Sequence, residues 1–134
     1  MTELVIFPDL EPAIVQHVQA ELDARSMTVT VASKVPTDRP ENMVRISGLG
    51  GTRRNVLHED AGVLVECWSP QDDPASDLAR LVRALLNAVD IEVQDGWITA
   101  STSSTPVNFP DPLAENTSRF QFTAEFLTQG RVFE

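Results

Sequence analysis

Few side chains in this sequence have the type and spacing for covalent or metal chemistry. The 134 residues include one cysteine, Cys67, and two histidines, His17 and His58. A lone cysteine excludes an intramolecular disulfide and every multi-cysteine zinc or iron–sulfur site. His58-Glu59-Asp60 places base, acid and ligand types side by side. Neighbours in extended chain point to opposite sides, so His58 and Glu59 do not share one ion, and the segment reads as a solvated turn. Cys67 shares an apolar strand face with Val63 and Val65, where cysteine behaves as a small hydrophobe. A nucleophilic thiol needs a base and an electropositive setting, and no motif around Cys67 supplies either.

Other chemical signatures fail in the same way. Gly48-Leu49-Gly50-Gly51 begins like a dinucleotide fingerprint, but its third glycine position is Arg53 and no helix follows. Ser101, Ser103 and Ser104 fall in a Ser/Thr loop and not at a nucleophile elbow. Asp72, Asp73 and Asp77 gather at a helix start, where capping and the helix dipole already account for them. Asn116-Thr117-Ser118 matches a glycosylation sequon, but the opening residues have no basic region and no apolar core of a secretion signal. The expectation is a protein without catalytic residues, metal or cofactor, kept in a cytoplasm-like compartment.

The elements that carry these residues are legible from periodicity. Residues 9–25 predict a helix, with Asp9 as cap, Pro12 in the first turn, and Ile14, Val18 and Leu22 on one face. Residues 27–35 alternate as a half-buried strand, and Pro36 to Pro40 form a loop. Val44 and Ile46 lie in a second strand that ends at Gly48-Leu49-Gly50-Gly51, followed by the polar loop Thr52-Arg53-Arg54-Asn55. Residues 60–68 predict a third strand, with Val63, Val65 and Cys67 on one face and Leu64, Glu66 and Trp68 on the other.

Ser69 to Pro74 reads as a turn into a second helix. Asp73 is the preferred cap over Ser69, because it places Pro74 at the first helical position. Leu78, Leu81, Val82, Leu85, Leu86 and Val89 form a wide apolar stripe, with Arg80, Arg83 and Asn87 outside it. Residues 91–101 are extended, with a turn or bulge at Gly96, and Thr99 to Pro112 is a long polar loop. Phe120, Phe122, Ala124 and Phe126 alternate with polar residues as a strand, and Gln129 to Glu134 reads as a loose tail. The order α-β-β-β-α-β-β predicts one α+β domain over residues 1–134: an antiparallel or mixed sheet with two helices on one face.

Ten basic residues stand against 20 acidic ones, a formal charge of −10. That balance opposes tight binding of the nucleic-acid backbone, which needs a basic face. No apolar run reaches the length of a membrane span.

Interaction surfaces are the better clue. If both helices cover one sheet face, Leu64 and Trp68 stand on the other, with Trp97 on a neighbouring segment. Either a partner chain covers them or loop 102–116 folds over. The far side of the second helix, with Arg80 and Arg83, is another candidate surface. Arg53 and Arg54 sit beside three glycines in an acidic chain, and arginine forks onto carboxylates. The pair reads either as a grip on an acidic neighbour, as a solvated hairpin tip, or as a DNA contact.

The ordered set Val5-Ile6-Phe7-Pro8-Asp9, Gly50-Gly51-Thr52-Arg53-Arg54-Asn55, Val65-Glu66-Cys67-Trp68, Ala79-Arg80-Leu81-Val82-Arg83-Ala84-Leu85-Leu86, Pro106-Val107-Asn108-Phe109-Pro110-Asp111-Pro112 and Arg119-Phe120-Gln121-Phe122-Thr123 resembles the tail terminator proteins of long-tailed, siphovirus-type phages of actinobacteria. The bias toward arginine, with Lys34 the sole lysine, agrees with GC-rich hosts. The resemblance spans nearly the whole chain. It implies an α/β fold without catalytic residues or cofactor. It also implies a homo-oligomeric ring, hexameric in that family, at the head-proximal end of the tail. Such a ring ends tail-tube polymerisation, meets the tail-tube protein and a head–tail connector protein, and lets DNA pass through without tight binding. The resemblance places the protein in the virion after assembly in the host cytoplasm. Two alternatives stand beside it. One is a head-completion or neck ring protein of the same virion. The other is a cytoplasmic small-ligand-binding α+β domain, with Trp97 and the Phe109 loop lining a pocket.

Overall fold

The apolar stripe of the first predicted helix forms α1 (Leu10–Ala24), which buries Leu10, Ile14, Val18 and Leu22. This computed structural model describes residues 3–134; Met1 and Thr2, with which the start expected above to lack a secretion signal begins, lie outside the described residues. Asp9 holds the N-cap position in extended backbone, but its side chain makes no capping hydrogen bond. After the helix the chain turns through Ser26, with φ of 57°, into β2 (Thr30–Ala32). The alternation over 27–35 thus yields only three residues of strand. The reason is local: the Gln19 amide donates to the Val29 carbonyl and accepts from the Val31 N–H, both at 2.9 Å. That bracing covers the outer edge of β2.

β2 pairs in parallel with β3 (Met43–Arg53), and β3 pairs antiparallel with β4 (His58–Ser69). The glycine run expected to end the second strand lies inside β3 instead. A Cβ on Gly51 would stand 1.8 Å from the Asp60 carbonyl oxygen, and Gly50 takes φ +75°. Glycine therefore lets the ribbon bulge between Gly48 and Gly50 and continue to Arg53. The true loop is Arg54 to Leu57.

The second helix, α2 (Asp72–Asn87), is capped by Gln71 and not by Asp73. Pro74 is its third residue, where a missing N–H still leaves no intrahelical bond unmade. Ala75, Leu78, Ala79, Val82 and Leu86 are buried. The extended segment 91–101 divides into a hairpin, β5 (Asp90–Val93) and β6 (Gly96–Ser103), turning at Gln94-Asp95. β7 (Val107–Asn108) is a short strand inside the expected polar loop.

β8 (Ser118–Val132) is the spine of the sheet. It pairs with β4 from Ser118 to Gln129, with β6 from Ala124 to Gly130, with β7 at Phe120 and Gln121, and with β1 (Val5–Ile6) at Arg131 and Val132. The expected loose tail from Gln129 is therefore mostly strand, held by β1 and β6. Sequence reading missed β1 because two residues are too short for a periodic signal.

The path β2-β3-β4-β8-β6-β5, with β1 and β7 also on β8, is one mixed sheet. Both helices pack on one face of it. Val44, Ile46, Val63, Val65, Cys67, Ile98, Phe122, Ala124 and Phe126 meet the stripes of α1 and α2 in a single α+β core.

Candidate interaction surfaces

The face of the sheet away from the helices divides into a covered half and a bare half. In the covered half Met43 and Trp68 lie side by side across the β3–β4 ladder, and Trp68 is only 1% exposed. Trp68 is thus not the exposed docking group expected from its place on the helix-free face. The connection from β2 to β3 brings the Arg39 guanidinium to 4.8 Å from the Trp68 ring centre, and Arg119 approaches it at 5.7 Å. Arg119 also stacks on Phe109 at 5.2 Å and donates from Nε to the Phe109 carbonyl. The loops 33–42 and 109–117 thereby close over this half.

Glu66 binds the layer together. Its carboxylate, 6% exposed, takes Arg119 Nη1 at 3.0 Å and faces Arg45 Nη1 at 3.5 Å. Arg45 in turn donates from Nε to the Ser33 carbonyl at 3.1 Å. An acid buried with two basic partners is satisfied, so Glu66 is a structural hub.

The bare half begins where those loops stop. Leu64 and Leu127 are half-buried there, Leu49 is 57% exposed, and Trp97 is 40% exposed. Trp97 is pinned by its indole N–H donating to Asp90 Oδ1. The β3–β4 hairpin tip lies at the same end of the sheet. Asn55 Oδ1 accepts from the backbone N–H groups of Leu57 and His58, at 3.0 and 2.9 Å, and so shapes the tip. This leaves Val56 62% exposed, with Leu57 beside it partly open.

The two tip arginines have different fates. Arg54 Nε and Nη2 donate to the two oxygens of Asp60 at 3.0 and 2.7 Å, so its fork is closed within the hairpin. Arg53 Nε donates to the Asn55 carbonyl. Among the described residues Arg53 meets no carboxylate within ion-pair distance.

The helix arginines are also occupied differently. Arg83 does not face outward: it donates from Nε to Ser103 Oγ at 3.0 Å, and Ser103 Oγ donates to Asn87. It ties α2 to the end of β6. Arg80 stays on the surface and pairs with Asp77.

Trp97 and Phe109 do not share a pocket. Trp97 pairs with Gln129 and Phe109 with Arg119, at opposite ends of β8, about 33 Å apart along the strand. Ser103 and Ser104 bond internally, Ser104 Oγ accepting the Thr123 N–H at 2.8 Å. Among the described residues no three His, Cys, Asp or Glu side chains stand close enough together to hold a metal ion. Among the described residues no helix is long and apolar enough to cross a membrane.

Cys67 is fully buried in the helix-side core, and burial, with a further push from Glu66, raises its thiol far above the ordinary cysteine range. Only the thiolate reacts. An aromatic disulfide reagent at mildly alkaline pH should leave the native protein unmodified and titrate one thiol after unfolding in urea. Rapid labelling of the native protein would show that the β4 core opens.

The residues missed by sequence reading are Leu49, Val56, Leu57 and Leu127. Val56-Leu57 was visible as an apolar pair directly after a polar loop, but its exposure depended on where the hairpin turned. No family model matches this chain, and no curated protein matches it.

Proposed function

We propose that this protein is a phage tail terminator, a structural virion protein. Copies of it close into a ring, end polymerisation of the tail tube and present the surface that joins the head. The reading rests on the residue pattern that resembles actinobacteriophage tail terminators. The observation that best supports it is the bare half of the sheet, where Leu49, Leu64, Leu127 and Trp97 lie beside an exposed Val56-Leu57 tip. Apolar groups gathered at one end of a folded domain are suited to contact with other chains. A ring built head-to-tail uses two different patches on each subunit. The formal charge of −10 suits a collar through which DNA slides without being held. In this role the partners are copies of itself, the tail-tube protein and a head–tail connector protein. The chain performs no reaction and needs no cofactor.

The test is length control. Purified tail-tube subunits polymerised with the protein should give capped tubes that stop growing and join heads. Tubes polymerised without it should be longer and irregular by electron microscopy. Tubes of equal length distribution with and without the protein would overturn the reading.

A further inference from the structure

An apolar groove of about 440 Å³ opens between α2 and the linker that follows α1. Met27, Val29, Leu78 and Leu81 form its floor, and Thr28, Asn42, Pro74 and Asp77 its rim. Asp72 and Asp73 precede it on the first turn of α2, and Glu41 precedes Asn42. One arginine offsets this acid: Arg80 pairs with Asp77. The groove therefore combines an apolar floor with one lining acid, Asp77, and Asp72, Asp73 and Glu41 close by in the chain.

The β3–β4 hairpin tip has the complementary character. Val56 and Leu57 are exposed apolar side chains, and Arg53 beside them is a cation without a carboxylate partner among the described residues. The tip cannot reach the groove of its own chain. Asn42 lies just before the start of β3 and Arg53 at its end, which separates the two by about 33 Å of strand. A tip and a matching groove at opposite ends of one subunit form a head-to-tail pair.

We propose that the occupant of this groove is the hairpin tip of a second copy of the chain, with Val56 and Leu57 seated on Met27, Val29 and Leu81 and Arg53 facing Asp77 Oδ2, the oxygen that Arg80 does not take. This rests on the ring reading above and names its subunit contact. Arg54 plays no direct part, because Asp60 already holds its fork.

Cysteine cross-linking tests the contact. Val56→Cys and Thr28→Cys replace exposed residues, and native Cys67 is buried away from both. In about 0.15 M salt, charge repulsion between copies is screened beyond about 8 Å. Mild oxidation of the doubly substituted chain at high concentration should give a ladder of disulfide-linked oligomers that ends in one closed species. Either single variant alone should give no ladder. Adding Arg53→Glu should reduce cross-linking about tenfold, and adding Asp77→Arg to that variant should restore it. Restoration by the swapped charge separates a direct contact from damage to the fold.

A folded double variant that stays uncrosslinked overturns the contact, as does a Val56→Cys single variant that cross-links equally well to itself. Wild-type protein that caps tubes while the ladder is absent sinks the contact and spares the terminator reading. A ladder from a protein that caps nothing sustains the contact and removes the terminator reading.

Discussion

Replacing Phe122 with alanine should lower the stability of the protein by about 3–5 kcal/mol, the range for removing a buried aromatic from a packed core. Phe122 sits on β8, opposite Val65, and is 2% exposed beneath α2. Val65 itself pairs with Ile46 on β3, so the deleted ring would leave a void shared by three strands and a helix. None of those neighbours can close the void alone. β8 is hydrogen-bonded along its whole length, which keeps the backbone from collapsing into the space. A loss of that size is a large part of the 5–15 kcal/mol that holds a typical domain folded. Urea denaturation followed by tryptophan fluorescence measures it directly. A midpoint within experimental error of wild type would show that the helix-side core does not centre on Phe122.

Glu66→Gln should be the costliest polar substitution, at about 3 kcal/mol. The change keeps the shape of the side chain and removes its charge. Arg119, 13% exposed on its side chain, would then be held against Trp68 and Phe109 without its carboxylate. Removing one partner of a buried pair costs about 3–5 kcal/mol, and the lower end applies because Arg45 is partly open to water. The surface pair Glu92–Arg131 is the control. There Glu92→Gln should cost less than about 1 kcal/mol, since solvent screens the charges. Equal losses at the two sites would mean that loops 33–42 and 109–117 do not seal the layer around Glu66.

The candidate surfaces divide along the same line as these two substitutions. Helix-side packing was legible because the stripes of α1 and α2 and the alternation of β8 repeat with the period of their elements. The role of Arg54 was not legible, because its partner Asp60 lies across a turn whose length periodicity does not define. Arg83 looked solvent-facing on a helical wheel, yet the end of β6 comes near enough to bind it through Ser103.

By itself the sequence determined the class of the fold, the two helices, the apolar side of β4 and β8, and the inert setting of Cys67. Each follows from local spacing, which dictates which side of an element must leave water. Only the tertiary structure decided what covers the opposite face. Trp68 is sealed and Trp97 stays open although both lie on the helix-free side, because loops 33–42 and 109–117 close over one end of the sheet and not the other. The run through Gly50 and Gly51 became strand because Gly62 and Ala61 pair across from it, and Gln129 to Val132 became strand because β6 and β1 do. Those pairings join residues far apart in the chain, and a pleated segment carries no local mark of the partner that will satisfy its backbone.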